Sequence, residues 1–187
     1  LGELHNAWMK EMLYGTEDMT LLAHRLSYKT TCVSVVLAML IVFRPRKSIM
    51  FMRKTDTDVV EIITQVSKIL ANERFQAMAR IVMGVPLAVL KSTSTEINTS
   101  YNDSPRGTSQ LLGIGSSGSL TGKHYDYVFT DDIVNVKDRI SKAERDRVRL
   151  VYQELQNIRN HGGRIINTGT PWHKEDAFTL MPPPVCY

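Results

Sequence analysis

Lys29 and Thr30 stand between an apolar segment, Met19-Thr20-Leu21-Leu22-Ala23, and a long apolar run from Cys32 to Phe43. Strand, short turn, Lys-Thr, then helix is the layout of a phosphate-binding loop. The first turn of a helix offers unpaired N–H groups and the positive end of a dipole. In such a loop the Lys reaches the β- and γ-phosphates and the Thr hydroxyl binds Mg²⁺. An ordinary helix start is the plain alternative, and Tyr28 stands where such loops carry Gly.

Two further segments carry matching chemistry. Tyr125-Asp126-Tyr127-Val128-Phe129-Thr130 is a β-rich run that ends in Asp131-Asp132. Paired carboxylates at a strand end suit Mg²⁺ binding by Asp131, because a hard cation prefers oxygen. They also suit orientation or deprotonation of a water by Asp132. A turn or helix cap is the simpler alternative for Asp-Asp. Arg164-Ile165-Ile166-Asn167 then leads into Thr168-Gly169-Thr170-Pro171-Trp172-His173, small hydroxylated residues where a neighbouring strand tip would sense a γ-phosphate.

In this order the segments resemble the ATPase domain of phage terminase large subunits, the motors that package viral DNA. The matching residues are Arg25 to Thr31, Leu120-Thr121-Gly122 leading into Tyr127 to Asp132, and Ile166 to His173 with Asp176 beyond. The likeness runs from about Leu4 to Phe178. It implies a P-loop NTPase fold of the RecA or ASCE kind, with ATP and Mg²⁺ as cofactors. Ser27, Tyr28, Lys29, Thr30 and Thr31 would bind nucleotide; Thr30 and Asp131 would hold the metal; Arg25, Lys29 and Asp132 would act in hydrolysis. Thr168, Gly169 and Thr170 would couple phosphate release to movement. Arg139 or Arg145 would reach a neighbouring subunit's nucleotide. Trp8, His5 and Asn6 lie where an adenine contact is expected. Implied partners are double-stranded DNA, a portal protein, a small terminase subunit and further copies in a ring, in the host-cell cytoplasm. A helicase or other RecA-like translocase shares the three motifs, and a degenerate P-loop scaffold with little ATPase activity would accommodate Tyr28.

Composition fits one domain: 187 residues, 43% hydrophobic, with 23 basic against 19 acidic residues. That length buries a full core. The net charge of +4 permits a nucleic-acid partner without demanding one. Cys32 and Cys186 lack metal-ligand spacing, which favours a reducing compartment and places Cys32 in a buried helix. No segment resembles a signal peptide, and the apolar run at Cys32 is too short to span a membrane. The first residue is not Met, as in an excised fragment. Residues 1–180 are expected to form the ATPase domain, and 181–187, with Pro182-Pro183-Pro184, to begin a linker toward an absent nuclease domain.

Hydrophobic periodicity supplies the frame. It predicts helices over Leu4–Tyr14, Lys29–Phe43, Asp56–Leu70, Asn72–Met83 and Lys142–Arg159. Strands are expected at Met19–Ala23, Ser48–Arg53, Thr93–Thr99, Ser109–Ile114, Tyr125–Thr130 and Arg164–Thr168, with a turn over Asn102–Gly107. Alternation of this kind predicts an α/β fold, a mostly parallel sheet with helices on both faces and ligands at the strands' carboxyl ends. Gly113-Ile114-Gly115-Ser116-Ser117-Gly118 matches a dinucleotide fingerprint by letter, but no apolar helix follows it. Its glycines, with Gly122-Lys123, are expected to form a flexible connection near the active-site edge.

Overall fold

The computed structural model describes residues 1–103 and 107–185. The expected turn at Asn102–Gly107 falls partly outside them, as does Cys186. In chain order the elements are α1 (Glu3–Tyr14), β1 (Met19–Leu22), α2 (Lys29–Phe43), β2 (Ile49–Arg53), α3 (Asp56–Ala71), α4 (Glu73–Met83), β3 (Val89–Ser92) and β4 (Glu96–Thr99). They continue with β5 (Leu111–Gly115), β6 (Tyr125–Asp131), α5 (Val136–Ile140), α6 (Lys142–Ile158), β7 (Arg159–Gly169) and a 3₁₀ turn at Ala177–Leu180.

The strands form one seven-stranded sheet in the order β1-β7-β6-β2-β5-β4-β3. Pairing is parallel from β1 through β5 and antiparallel at the β4–β3 end. Parallel strands covered on both faces read as continuous apolar runs rather than alternating ones, and Ile49-Met50-Phe51-Met52 is such a run. Its side chains still divide by parity. Ile49 and Phe51 enter the core beneath α1, α2, α3 and α4, whereas Met50 and Met52 enter the one beneath α6. From Cys32 onward the α2 helix is apolar on nearly every side, and no residue of that stretch is exposed. Cys32 lies within it, fully buried and unbridged among the described residues, and burial pushes its thiol pKa up.

Two features differ from the sequence reading. Gly115 belongs to β5 rather than to a flexible connection, and Gly113 lies, as the expected strand Ser109–Ile114 has it, within the same strand. A Cβ on Gly113 would lie 2.4 Å from Val59 Cγ1, so the missing side chain lets α3 pack closely on the sheet. The β3 strand and the short α5 helix were not expected. After Met181 the chain stays on the sheet: Pro184 bridges Thr20 in parallel, and the Val185 amide donates to the Thr20 carbonyl at 2.9 Å. Among the described residues no helix is long and apolar enough to cross a membrane.

Candidate functional site

Four adjacent parallel strands, β1, β7, β6 and β2, end along one edge of the sheet. Their carboxyl ends bring together the loop before α2, Thr168-Gly169, Asp131-Asp132 and Arg53. Register fixes part of this, since Asp131 pairs with Thr168 across β6 and β7. The Thr168 hydroxyl donates to Asp131 Oδ1 at 2.6 Å, and the Asp132 amide donates to the Thr168 carbonyl at 3.1 Å.

From the other side, α2 presents its first turn. The Thr30 hydroxyl donates to Asp131 Oδ2 at 3.0 Å, and Lys29 Nζ lies 3.0 Å from Asp132 Oδ2. Lys29 is buried; Thr31, next along the helix, is exposed. The residues singled out in two distant segments therefore meet side chain to side chain. Asp131 is wholly buried, and burial and then the Asp132 charge push its pKa up, opposed by Arg53, Thr168 and Lys29.

Arg53 was missed by the sequence reading. Its Nε lies 3.2 Å from Asp131 Oδ2 and its Nη2 3.9 Å from Asp132 Oδ2, so one guanidinium spans both carboxylates. The available signal was a cation ending a buried apolar strand in a fold whose ligands sit at strand ends. Beside it, Lys54 turns into a closed network. Lys54 Nζ lies 3.0 Å from Asp138 and 2.8 Å from Glu144, and Glu144 pairs with Arg147 at 2.9 Å.

Backbone strain concentrates here. Among the described residues, Leu26 (φ 66°), Tyr28 (φ 58°) and Asp132 (φ 47°) are the non-glycine residues with positive φ. Left-handed backbone costs such residues roughly 1–2 kcal/mol, and it collects at functional sites. Tyr28 caps α2 in this conformation, which turns the preceding loop across the helix N-terminus. Ser27 lines the resulting cavity with Leu26, Lys29 and Thr30, and its buried hydroxyl has no hydrogen-bond partner among the described residues.

The other expected residues are spread over loop, strand end and helix. Arg25 is exposed and lies over the Trp172 ring at 4.9 Å, lining a second pocket with Arg53, Lys54, Asp132 and Thr170. Thr170 donates to the Ala23 carbonyl at 3.2 Å, tying the β7 end to the loop after β1. Gly169 has no room for a side chain, since a Cβ would lie 2.7 Å from the Phe178 ring. Asp176 organises the segment beyond, accepting from the Trp172, His173 and Phe178 amides. His5 approaches the loop by hydrogen-bonding the Ser27 carbonyl at 3.0 Å, whereas Trp8 is buried in the core and Asn6 is exposed. Arg139 is exposed on α5. Arg145 is not placed to reach out of the chain: it is buried and donates to the Asp138 carbonyl at 2.8 Å.

No protein-family model matches the chain, and no curated protein matches it. Solved structures do. The large terminase of bacteriophage HK97 aligns with a TM-score of 0.58 at 10% identity, over 96% of this chain and 35% of its own. The large terminase ATPase domain of Thermus phage P74-26 aligns at 0.54 and 14% identity, over 91% and 65%. The phi-28 gp11 DNA packaging motor aligns at 0.53 and 14% identity, over 89% and 50%. This chain thus spans about a third to two thirds of each of them, and its fold is that of phage large terminase ATPase domains.

Proposed function

We propose that the chain is the ATP-hydrolysing motor domain of a viral large terminase, driving double-stranded DNA into a procapsid. The observation that carries this reading is the meeting of Lys29 and Thr30 with Asp131 and Asp132 at the sheet edge. In these terms the loop before α2 is the Walker A segment and the end of β6 the Walker B segment. Residues 1–180 form the ATPase domain, and 181–187 begin the linker to a nuclease domain, with Pro184 and Val185 still docked on β1.

The donor set fits Mg²⁺. Thr30 Oγ1 and Asp131 Oδ2 converge at 3.0 Å, both hard oxygens, and Mg²⁺ is usually held by one or two such groups plus phosphates and water. When bound, the ion would neutralise charge on the β- and γ-phosphate oxygens. Backbone N–H groups of residues 27–31 and the dipole of α2 would hold the triphosphate.

Here Lys29 and Arg53 neutralise the two carboxylates. A triphosphate gives Lys29 a more highly charged anionic partner, and transfer of Lys29 to it frees Asp132. Asp132 then takes a proton from the water attacking the γ-phosphorus as the bond to the ADP oxygen breaks, giving ADP and inorganic phosphate. Arg25 would sense the γ-phosphate within the chain. Thr168, on β7, contacts Asp131 directly and would feel its loss, while Thr170 would carry that change to the loop after β1. The partners follow from the same reading: a portal protein, a small terminase subunit and a ring of further copies.

Turnover should be measured against protein concentration, with double-stranded and with single-stranded DNA. The reading expects slow turnover that rises with concentration and responds to double-stranded DNA. Stimulation by single strands alone would favour a helicase, and ATP binding without turnover under any condition would favour a scaffold. Metal-dependent DNA cleavage by this chain would overturn the domain assignment.

A further inference from the structure

Tyr28 is held left-handed, at φ 58° and ψ 18°, in a position where glycine would carry no strain. Its ring is not used to fill the core, being 65% exposed. It lines a cavity with Ser27, Lys29 and Thr30, and the buried Ser27 hydroxyl, unpartnered among the described residues, marks that cavity as wanting a polar guest. Behind it, the His5 ring meets Tyr28 edge-on at 6.1 Å and Trp8 at 5.2 Å. Both His5 nitrogens are engaged, Nδ1 accepting from the Gly2 amide at 3.1 Å and Nε2 donating to the Ser27 carbonyl at 3.0 Å. The histidine is thereby fixed in orientation, and it presents ring rather than hydrogen-bonding groups.

We propose that Tyr28 is a base-stacking residue: backed by His5, its ring carries the nucleobase of the bound triphosphate, and the site recognises the base by its aromatic face. This rests on the nucleotide-binding reading above. A strained aromatic at a phosphate-loop position is explained if the ring contributes an interaction that glycine cannot. Stacking of this kind tolerates different bases, because every base has a π-face. Purines, with the larger face, should bind better than pyrimidines, and ATP and GTP should differ little.

The test compares ATP with inorganic tripolyphosphate, which has the phosphates and no base, by equilibrium titration with Mg²⁺. Tyr28→Ala keeps the backbone cost of a non-glycine residue and removes the ring. It should weaken ATP by about ten- to a hundredfold, the range of a lost base–aromatic stack, and leave tripolyphosphate unchanged. Tyr28→Phe should behave as wild type. Tyr28→Gly should bind tripolyphosphate at least as well as wild type while showing no added affinity for ATP. Equal losses for both ligands in Tyr28→Ala would overturn the proposal and make Tyr28 a shaper of the phosphate loop, with nucleotide binding intact. A wild-type chain that binds neither ligand would overturn the nucleotide reading and this proposal with it.

Discussion

Two charged clusters lie side by side at the strand ends, joined by the consecutive residues Arg53 and Lys54, and they are built to opposite purposes. In one, Lys29 and Arg53 face Asp131 and Asp132, the Asp132 side chain is 34% exposed, and the surrounding backbone is strained. In the other, Lys54 is enclosed by Asp138 and Glu144, Arg147 closes the far side, and Arg147 also donates to the Ser116 hydroxyl and carbonyl. The first opens onto two cavities, one at the N-terminus of α2 and one that Lys54 also lines. The second fixes α5 and α6 against β2. Ion pairs alone thus do not mark a site; cations that an incoming anion can draw away do.

The largest effect should come from outside the chain. Arg139 is exposed on α5, the helix anchored by the closed cluster, and on the proposed ring reading a neighbour's Arg139 completes the open one. In an assembled ring, Arg139→Ala should lower turnover by roughly 10³–10⁵, the scale of an arginine supplied in trans. Mixing it with an Asp132→Asn chain should restore partial activity. Failure of every mixture to recover activity would remove Arg139 from the site.

Within the open cluster the two carboxylates should separate by role. Asp132→Asn should cost about 10²–10⁴ in turnover, as expected for a general base, and leave Mg²⁺-dependent ATP binding largely intact. Asp131→Asn should weaken that binding as well, because Asp131 meets the Thr30 hydroxyl. Normal hydrolysis by both variants would reduce Asp131-Asp132 to a turn.

The closed cluster should respond in stability instead. Lys54→Met leaves the wholly buried Asp138 carboxylate without its lysine, and among the described residues Asp138 Oδ1 is already unpartnered. Breaking a buried pair this way costs about 3–5 kcal/mol, read as a lowered denaturation midpoint. The smallest effect is a pH dependence. Arg147 first, with Lys54, holds the Glu144 pKa down to about 2 from 4.5. A carboxylate depressed on folding stabilises above its unfolded value, and that gain disappears as pH falls through the folded one. The stability difference between wild type and Glu144→Gln should be constant above pH 4.5 and shrink toward pH 2. A difference that grew on acidification would contradict the pairing.

Much of the open cluster was legible because each piece is local. An apolar run ending in Asp-Asp, another ending in Thr-Gly-Thr, and Lys-Thr before a buried helix can each be read without knowing which strands are neighbours. Arg53 could not be read this way, since its role depends on β2 lying beside β6. Arg139 and Arg145 look alike in sequence, yet the first is exposed and the second is buried, its guanidinium bonded to the Asp138 carbonyl and facing Glu175. The far end of the sheet was harder. In β3 every residue is exposed, so no alternation of burial marks it, and its strand state comes from antiparallel pairing with β4. The α5 helix has five residues, too few for a periodicity, and is set by the reciprocal capping of Asn135 and Asp138.

The central claim is that Lys29 binds the phosphates of ATP at the start of α2. Equilibrium titration of Mg²⁺–ATP against wild type and Lys29→Ala tests it most directly, with the circular-dichroism spectrum and melting midpoint of each variant taken alongside. The account predicts saturable binding by wild type and its loss in a Lys29→Ala chain that remains folded. Binding of equal affinity by both chains would contradict it.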